Sequence, residues 1–478
     1  MKYKIFDMLV AVIMVLALAA PVMAAYPPPE EPVPPAGPAK LPPVAIGAMR
    51  LSGTHLVPPA KGAFMVMLHE EGLPLDATPE QIQAAADAWY RRFEKQSDTW
   101  VNPKVQEWAR QREAQLASPG VSALAIQPVT ATVFAMAVDF GATETFTIPE
   151  DVDGVCVTQT TTITGPLNGL MEHPEPGDNF SLWYSPTQTS DAKFYEKIIF
   201  GYEGAGRARY DLTDPDDGQP GINLAGYTVQ DYYDNVAGDG NVYITGTVEG
   251  WTTVNHSEGW YGADNCATGS HGGGAGHPVA ELVVDAVNVF SATNPSYYTD
   301  TGLDAFWPKY DANNDGVIDT FWVIHAGAGQ ESGGGEQGTF SIWSHSSDLR
   351  HQAAWEDGYK IYEGDPLTTT DDIVVGPYTM QPENAETGVF AEEFGHNFFG
   401  FPDLYTTDAS NSIGDWNIMS GGAWMGWLGG TAPASMPLWF KMIATFDTAG
   451  TLTPVNWHEP MVTRAYTDTA GDVTIGQL

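Results

Sequence analysis

Apolar residues recur along this chain with two periods, and the change from one to the other divides it. Between residues 78 and 120 the spacing is helical. Thr78-Pro79-Glu80-Gln81 has the composition of a capping box with proline at the first helical position, and Ile82, Ala85, Ala86, Trp89 and Phe93 follow as one stripe. Asn102-Pro103 opens a second helix that turns Val105, Trp108, Ala109 and Leu116 inward, and Ser118-Pro119-Gly120 ends it. From residue 128 strands and long turns take over. Residues 132–140 (TVFAMAVDF) read as a buried strand, 241–251 as a strand with alternating apolar and polar positions, and 320–324 as a second buried strand. Helices are expected at 191–200, 229–236, 278–287 and 432–444. One more is marked by Val389, Phe390, Phe394 and Phe398 at roughly helical spacing.

Both ends of the chain differ in texture from this middle. Residues 1–24 carry Lys2 and Lys4, an apolar run from 8 to 20 and a small-residue cleavage site at Val22-Met23-Ala24, the composition of a secretory signal. The run is too short for a membrane span, and no later segment reaches about 18 uninterrupted apolar residues, so a soluble, extracellular mature protein is expected. Residues 25–60 form a proline-rich linker, 61–127 a helical unit, 128–450 the main domain, and 451–478 the start of a β-rich region. The last is either incomplete or naturally short.

Charge sharpens this division. Residues 1–112 hold 11 basic and 11 acidic side chains, whereas the remainder holds 9 and 49, which accounts for the whole net charge of −40. Nucleic acid is excluded as a partner, because phosphate neutralisation needs a Lys/Arg surface. The acidity fits calcium binding, a saline habitat or plain solubility. A neutral helical unit between an export signal and an acidic domain reads as a propeptide that docks in cis. Cys156 and Cys266 are the two cysteines; a disulfide or two buried thiols fit equally, and neither belongs to a CxxC metal pair.

Candidate chemistry concentrates in residues 387–428. Glu392 and His396 stand one helical turn apart on one face, with Glu393 beside them. In the HExxH arrangement two histidines at this spacing hold zinc, and the glutamate after the first is the general base. Here a glutamate takes the first position. Gly400 can break the helix and Phe401-Pro402-Asp403 returns a carboxylate, so Glu392, His396 and Asp403 form a candidate ligand set with Glu393 as base. Further on, Ile418-Met419-Ser420-Gly421-Gly422 has the form of a tight methionine turn. A second motif supplies Asp311, Asn313 and Asp315 at loop positions 1, 3 and 5, Gly316 at 6, the Val317 carbonyl at 7 and Asp319 at 9. That is the EF-hand logic for calcium, although position 12 is Trp322. The alternative for this loop is an Asx turn without an ion. His325 and His345 are candidates to replace the missing histidine or, alternatively, hydrogen-bonded core histidines. The segment 269–277 (GSHGGGAGH) reads as a flexible loop.

These motifs together resemble the immune inhibitor A-like secreted metallopeptidases, whose pattern runs HEFGH, LGLPD and IMSGG. The stretches HAGAGQE (325–331), IWSH (342–345) and Trp260-Tyr261-Gly262 also resemble that family, and the likeness covers most of residues 128–450. It implies an α/β (α+β) zincin-like domain with a metzincin-like turn at Met419, preceded by a helical propeptide and followed by the start of a β-rich segment. It implies a secreted metalloendopeptidase that hydrolyses protein or peptide substrates by metal-activated water with one catalytic zinc, to which the 311–319 loop adds a structural calcium. The sequence departs from the pattern twice. Glu392 stands for the first histidine, and Phe398-Phe399 replaces a single apolar residue between His396 and Gly400. The alternative is a catalytically inactive, calcium-stabilised extracellular binding or surface module. Residue 392 separates the two, since a hydrolase needs it as a metal ligand.

Overall fold

The computed structural model describes residues 55–70, 72–93, 129–152, 155–167, 192–201, 211–213, 220–223, 228–237, 242–268, 272–298, 306–311, 314–362, 372–404, 413–426, 429–437, 440–441, 462–468 and 471–476, all within one compact unit. The expected signal, most of the linker and the second N-terminal helix lie outside these residues.

A six-stranded sheet organises the unit. With all strands of the described residues numbered in chain order, β3 (Thr143–Val152) pairs with β4 (Val155–Thr164), β5 (Asp211–Thr213) with β6 (Pro220–Asn223), β10 (Tyr359–Tyr362) with β11 (Ile373–Val375) and β13 (Val462–Asp468) with β14 (Gly471–Gly476). The six-stranded sheet holds β1 (His55–Leu56), β2 (Val129–Phe140), β7 (Val242–Val254), β8 (Phe321–His325), β9 (His345–Asp348) and β12 (Pro377–Pro382), arranged in space as β1-β9-β12-β8-β2-β7. The strands β12, β8, β2 and β7 run parallel, while β9 is antiparallel to β12 and β1 antiparallel to β9. Parallel strands are buried on both faces and therefore read as continuous apolar runs. β2 does so: Ala131, Val133, Ala135 and Ala137 enter one core, and Phe134, Met136, Val138 and Phe140 the other.

Numbering the helices of eight or more residues in chain order, α1 is Lys61–Glu70, α2 Pro79–Phe93, α3 Val229–Ala237, α4 Glu281–Thr293 and α5 Thr387–Phe394. The first core packs α3 and α5 against the sheet, and the second packs α4 together with Trp307 and Tyr310 on the opposite face. The result is a three-layer α/β domain. The short helix Phe194–Phe200, within the segment expected to be helical, joins the first core.

Local sequence explains several ends. At α2 the Thr78 backbone N–H donates to Gln81 Oε1 at 2.8 Å and the Gln81 N–H to Thr78 Oγ1 at 3.3 Å, the reciprocal pair of a capping box. Helix α1 opens the unit expected to be helical at 61–127, although the apolar spacing marks no separate helix before residue 78, and nothing in the spacing marks the hairpin of β3 (Thr143–Val152) and β4 (Val155–Thr164). Threonine pairs at 2.9 to 3.0 Å join this hairpin across its exposed face, and the Cys156–Cys266 disulfide ties β4 to the segment after Gly262. Residues 432–437 are not helical, contrary to expectation, because Pro433 and Pro437 lack the N–H groups a helix interior requires. Nor is 272–277 loose: Gly273 and Gly274 donate to the Tyr261 and Ala263 carbonyls, and His277 stacks on Trp260.

Residues 55–60, at the end of the expected linker, belong to the packed unit. Val57 and Ala60 are buried, and their N–H groups donate to the Ser344 and Glu331 carbonyls at 3.2 and 3.0 Å. The Trp343 indole donates to the Val57 carbonyl at 2.8 Å, and the Trp424 indole donates to that of Pro58.

Candidate metal centre

Helix α5 is buried along its whole length, so it can present two glutamates inward only where they meet partners. Its first turn lies against the loop after the methionine turn. A Cβ at Gly388 would come 2.0 Å from the Ala423 carbonyl oxygen, which glycine alone permits. The Tyr233 hydroxyl of α3 donates to the Ala391 carbonyl at 2.7 Å and pins the middle of the helix.

Beyond Phe394 the helix widens. Residues Gly395–Phe399 form a π turn, closed by Gly400 at φ 69, whose N–H reaches back to the Gly395 and His396 carbonyls. Such a turn accommodates one residue more than an α turn. The extra phenylalanine at 398–399 is absorbed here, and both rings stay in the core. Phe401 N–H then donates to the Gly395 carbonyl at 3.2 Å, turning the chain so that Asp403 comes back over the helix.

Three ligand atoms converge as a result. His396 Nε2 lies 3.1 Å from Glu392 Oε1 and 3.1 Å from Asp403 Oδ1. One ligand atom from each of these residues lies within 4.8 Å of the others, and theirs is the one such group among the described residues. The other ring nitrogen, Nδ1, donates to the Phe401 carbonyl at 2.5 Å, which turns Nε2 toward Glu392 and Asp403. Met419 lies behind this turn: a Cβ at Gly395 would sit 3.2 Å from its sulfur, and its carbonyl accepts the Leu404 N–H at 2.8 Å. The methionine turn thus holds the segment that carries Asp403.

The electrostatics follow from packing two fully buried carboxyl groups and the partly buried Asp403 around one imidazole. Burial pushes the Glu392 carboxyl up to about 7, against the opposing pull of His396. Burial and then the Glu392 charge push Glu393 well above the carboxylate range. For His396 burial disfavours the cation, but Glu392 and Asp403 outweigh it and raise the imidazole well above its ordinary value. Glu392 Oε2 and both oxygens of Glu393 are buried with no hydrogen-bond partner among the described residues. Concentrated negative charge with unused oxygens fits a cation, and the donor set of two carboxylates and an imidazole fits zinc.

The other candidates are not members of this ligand group. His325 is fully buried with Nδ1 3.2 Å from Glu258 Oε1, and His345 donates from Nδ1 to the Trp343 carbonyl at 2.8 Å. Both are core histidines here. In the 311–319 loop Asp311 accepts the Asp315 and Gly316 N–H groups at 3.0 and 2.8 Å, and Asp315 accepts that of Val317 at 3.0 Å. Burial and the neighbouring Asp315 and Asp319 charges raise Asp311. Asn313 lies outside the described residues.

One residue of the site escaped the sequence reading. Glu331, fully buried, accepts the Ser344 N–H at 3.0 Å and its hydroxyl at 2.6 Å, clipping HAGAGQE to IWSH. The signal was the two adjacent motifs themselves, but spacing could not show that they meet. Gly329 serves the clip, since a Cβ there would come 2.3 Å from the Glu331 carboxylate.

An α/β scaffold that carries a Glu-x-x-x-His turn and a returning aspartate over a methionine turn defines a zincin-like metallopeptidase domain. Residues 186–451 match the family described as immune inhibitor A peptidase M6, catalytic domain. That is more than half of the chain, and the chain belongs to this family. Immune inhibitor A of Bacillus thuringiensis subsp. alesti is 34% identical over 278 residues, 55% of this chain and 35% of that protein. The pre-pro-metalloprotease PrtV of Vibrio cholerae serotype O1 is 30% identical over 246 residues, 48% of this chain and 25% of that protein. The chain therefore spans little more than a third, at most, of the length of these curated relatives.

Proposed function

We propose that this chain is a secreted metal-dependent endopeptidase that hydrolyses peptide bonds in protein or peptide substrates. Glu392, His396 and Asp403 hold one zinc ion and Glu393 is the general base. The observation that carries the reading is the convergence of the three ligand atoms within 4.8 Å, around an imidazole whose other nitrogen is committed to the Phe401 carbonyl. The chemistry supplied by the ion when bound is polarisation of the scissile carbonyl and acidification of water. The chain's own part is to hold the ligands, exclude bulk water and move a proton. Glu393, with neither oxygen engaged, is suited to accept that proton and pass it to the departing amine.

Export rests on the signal at residues 1–24; among the described residues no helix is long and apolar enough to cross a membrane. Docking of the N-terminal segment in cis is supported by β1 on β9 and by the bonds of Val57 and Ala60 to the Ser344 and Glu331 carbonyls. These occupy the sheet edge along which an extended peptide would pair. A structural calcium in the loop of Asp311, Asn313, Asp315, Val317 and Asp319 is supported by its ligand order.

The test is elemental analysis of the purified protein together with a peptidase assay. Glu393→Gln should retain zinc and lose activity on the order of 10²-fold or more, and Glu392→Ala should lose both. Activity that rises only in Glu392→His would instead identify a decayed enzyme.

A further inference from the structure

A second set of buried polar atoms lies on β12 and in the π turn, and the ligand set does not account for it. Gln381 on β12 is fully buried, and neither atom of its amide meets a hydrogen-bond partner among the described residues. Asn397 in the π turn is 3% exposed and in the same condition, as is the hydroxyl of Thr379. The pleat locates them. Tyr378 and Met380 enter the core on the α4 face of the sheet, so Thr379 and Gln381, which alternate with them, face the α5 side. Glu393 and Asn397 are four residues apart and share the stripe next to the one that carries Glu392 and His396.

Neutral amides and a hydroxyl are weak ligands for zinc, so the cation does not explain them. Buried polar groups in native proteins are paired, and where no protein atom serves, ordered water does. We propose that Gln381 and Asn397 are positioning residues, which with Thr379 hold buried water between β12 and the active-site helix and through it orient the Glu393 carboxylate. This rests on the reading of Glu393 as general base. The seam holds the base from behind, while the ion and substrate approach from the side of Glu392, His396 and Asp403. A carboxylate held by water on one side keeps a defined direction for its free oxygen.

The test pairs a crystal structure of the zinc-loaded full chain, at a resolution that shows ordered water, with kinetics of Gln381→Met and Asn397→Leu. Density bridging residues 381, 397 and 393 is expected. In each variant kcat should fall on the order of tenfold to a hundredfold, as for a misplaced catalytic group, while KM and zinc content stay at the wild-type level. Asn397→Ser, which can still bind water, should recover most of the loss. A dry seam, or apolar variants that bind zinc and keep the wild-type kcat, would overturn the proposal. So would a loss of kcat that merely follows loss of zinc or of folded protein. A bridged seam in a wild-type protein inert toward every peptide would refute the peptidase reading and the positioning role with it, whereas a dry seam in an active enzyme refutes the positioning role alone.

Discussion

The metal-free centre should make the protein less stable as pH rises, and zinc should reverse this. Burial holds the Glu392 carboxyl at about 7 in the fold, against an ordinary value of 4.5. Between those values the native state binds more protons than the unfolded chain, so stability falls with rising pH until the folded group has ionised. His396 acts in the same direction, because its raised value gives stability at low pH that is lost as pH climbs through the folded pKa. A shift of that size for Glu392 corresponds to on the order of 3 kcal/mol. The net charge of −40 also disfavours compactness at high pH, so the specific part must be isolated. Chelator-treated wild type and Glu392→Gln should be unfolded in denaturant at pH 5 and pH 8. Wild type is expected to lose more stability over this range by about 3 kcal/mol, and saturating zinc should abolish the difference. Equal pH dependence in the two proteins, or a metal-free wild type that is stabilised on going to pH 8, would show that the Glu392 charge is not held against burial as argued.

Three further outcomes follow from the geometry. Deleting Phe399 removes the residue that the π turn absorbs and restores an α turn before Gly400, so Asp403 should still return and zinc affinity, measured by competition with a chromophoric chelator, should stay within about tenfold of wild type, about 1.4 kcal/mol, with the sheet intact by circular dichroism. Replacing Cys156 and Cys266 by serine opens a loop of 110 residues, and denaturant unfolding should show a loss of up to about 4.7 kcal/mol. Gly388→Ala forces a side chain into the Ala423 carbonyl, so both stability and zinc retention should drop, the latter read by elemental analysis.

The candidate site was legible in part because its chemistry is local. One helical turn sets the spacing of Glu392 and His396, and a capping box such as Thr78 with Gln81 is written within four residues. Helix α1, as a separate helix within 61–127, and the β3–β4 hairpin were not legible: α1 is apolar nearly all round, and the exposed face of the hairpin is made of threonine rather than of a clear alternation. Of the helix expected at 432–444, residues 432–437 are not helical, where Pro433 and Pro437 outweigh an apolar pattern, while residues 440–441 are.

The sequence by itself determined which side chains carry the chemistry, the period of the buried strands and the extra residue before Gly400, because all of these are short-range properties of the chain. Only the tertiary structure decided that the extra residue becomes a π turn, that Asp403 returns to 3.1 Å from His396 and that Glu331 closes on Ser344. It also decided that His325 and His345 stay in the core. Contacts between residues far apart in the chain are selected by the packing of whole layers, and no spacing along the chain encodes them.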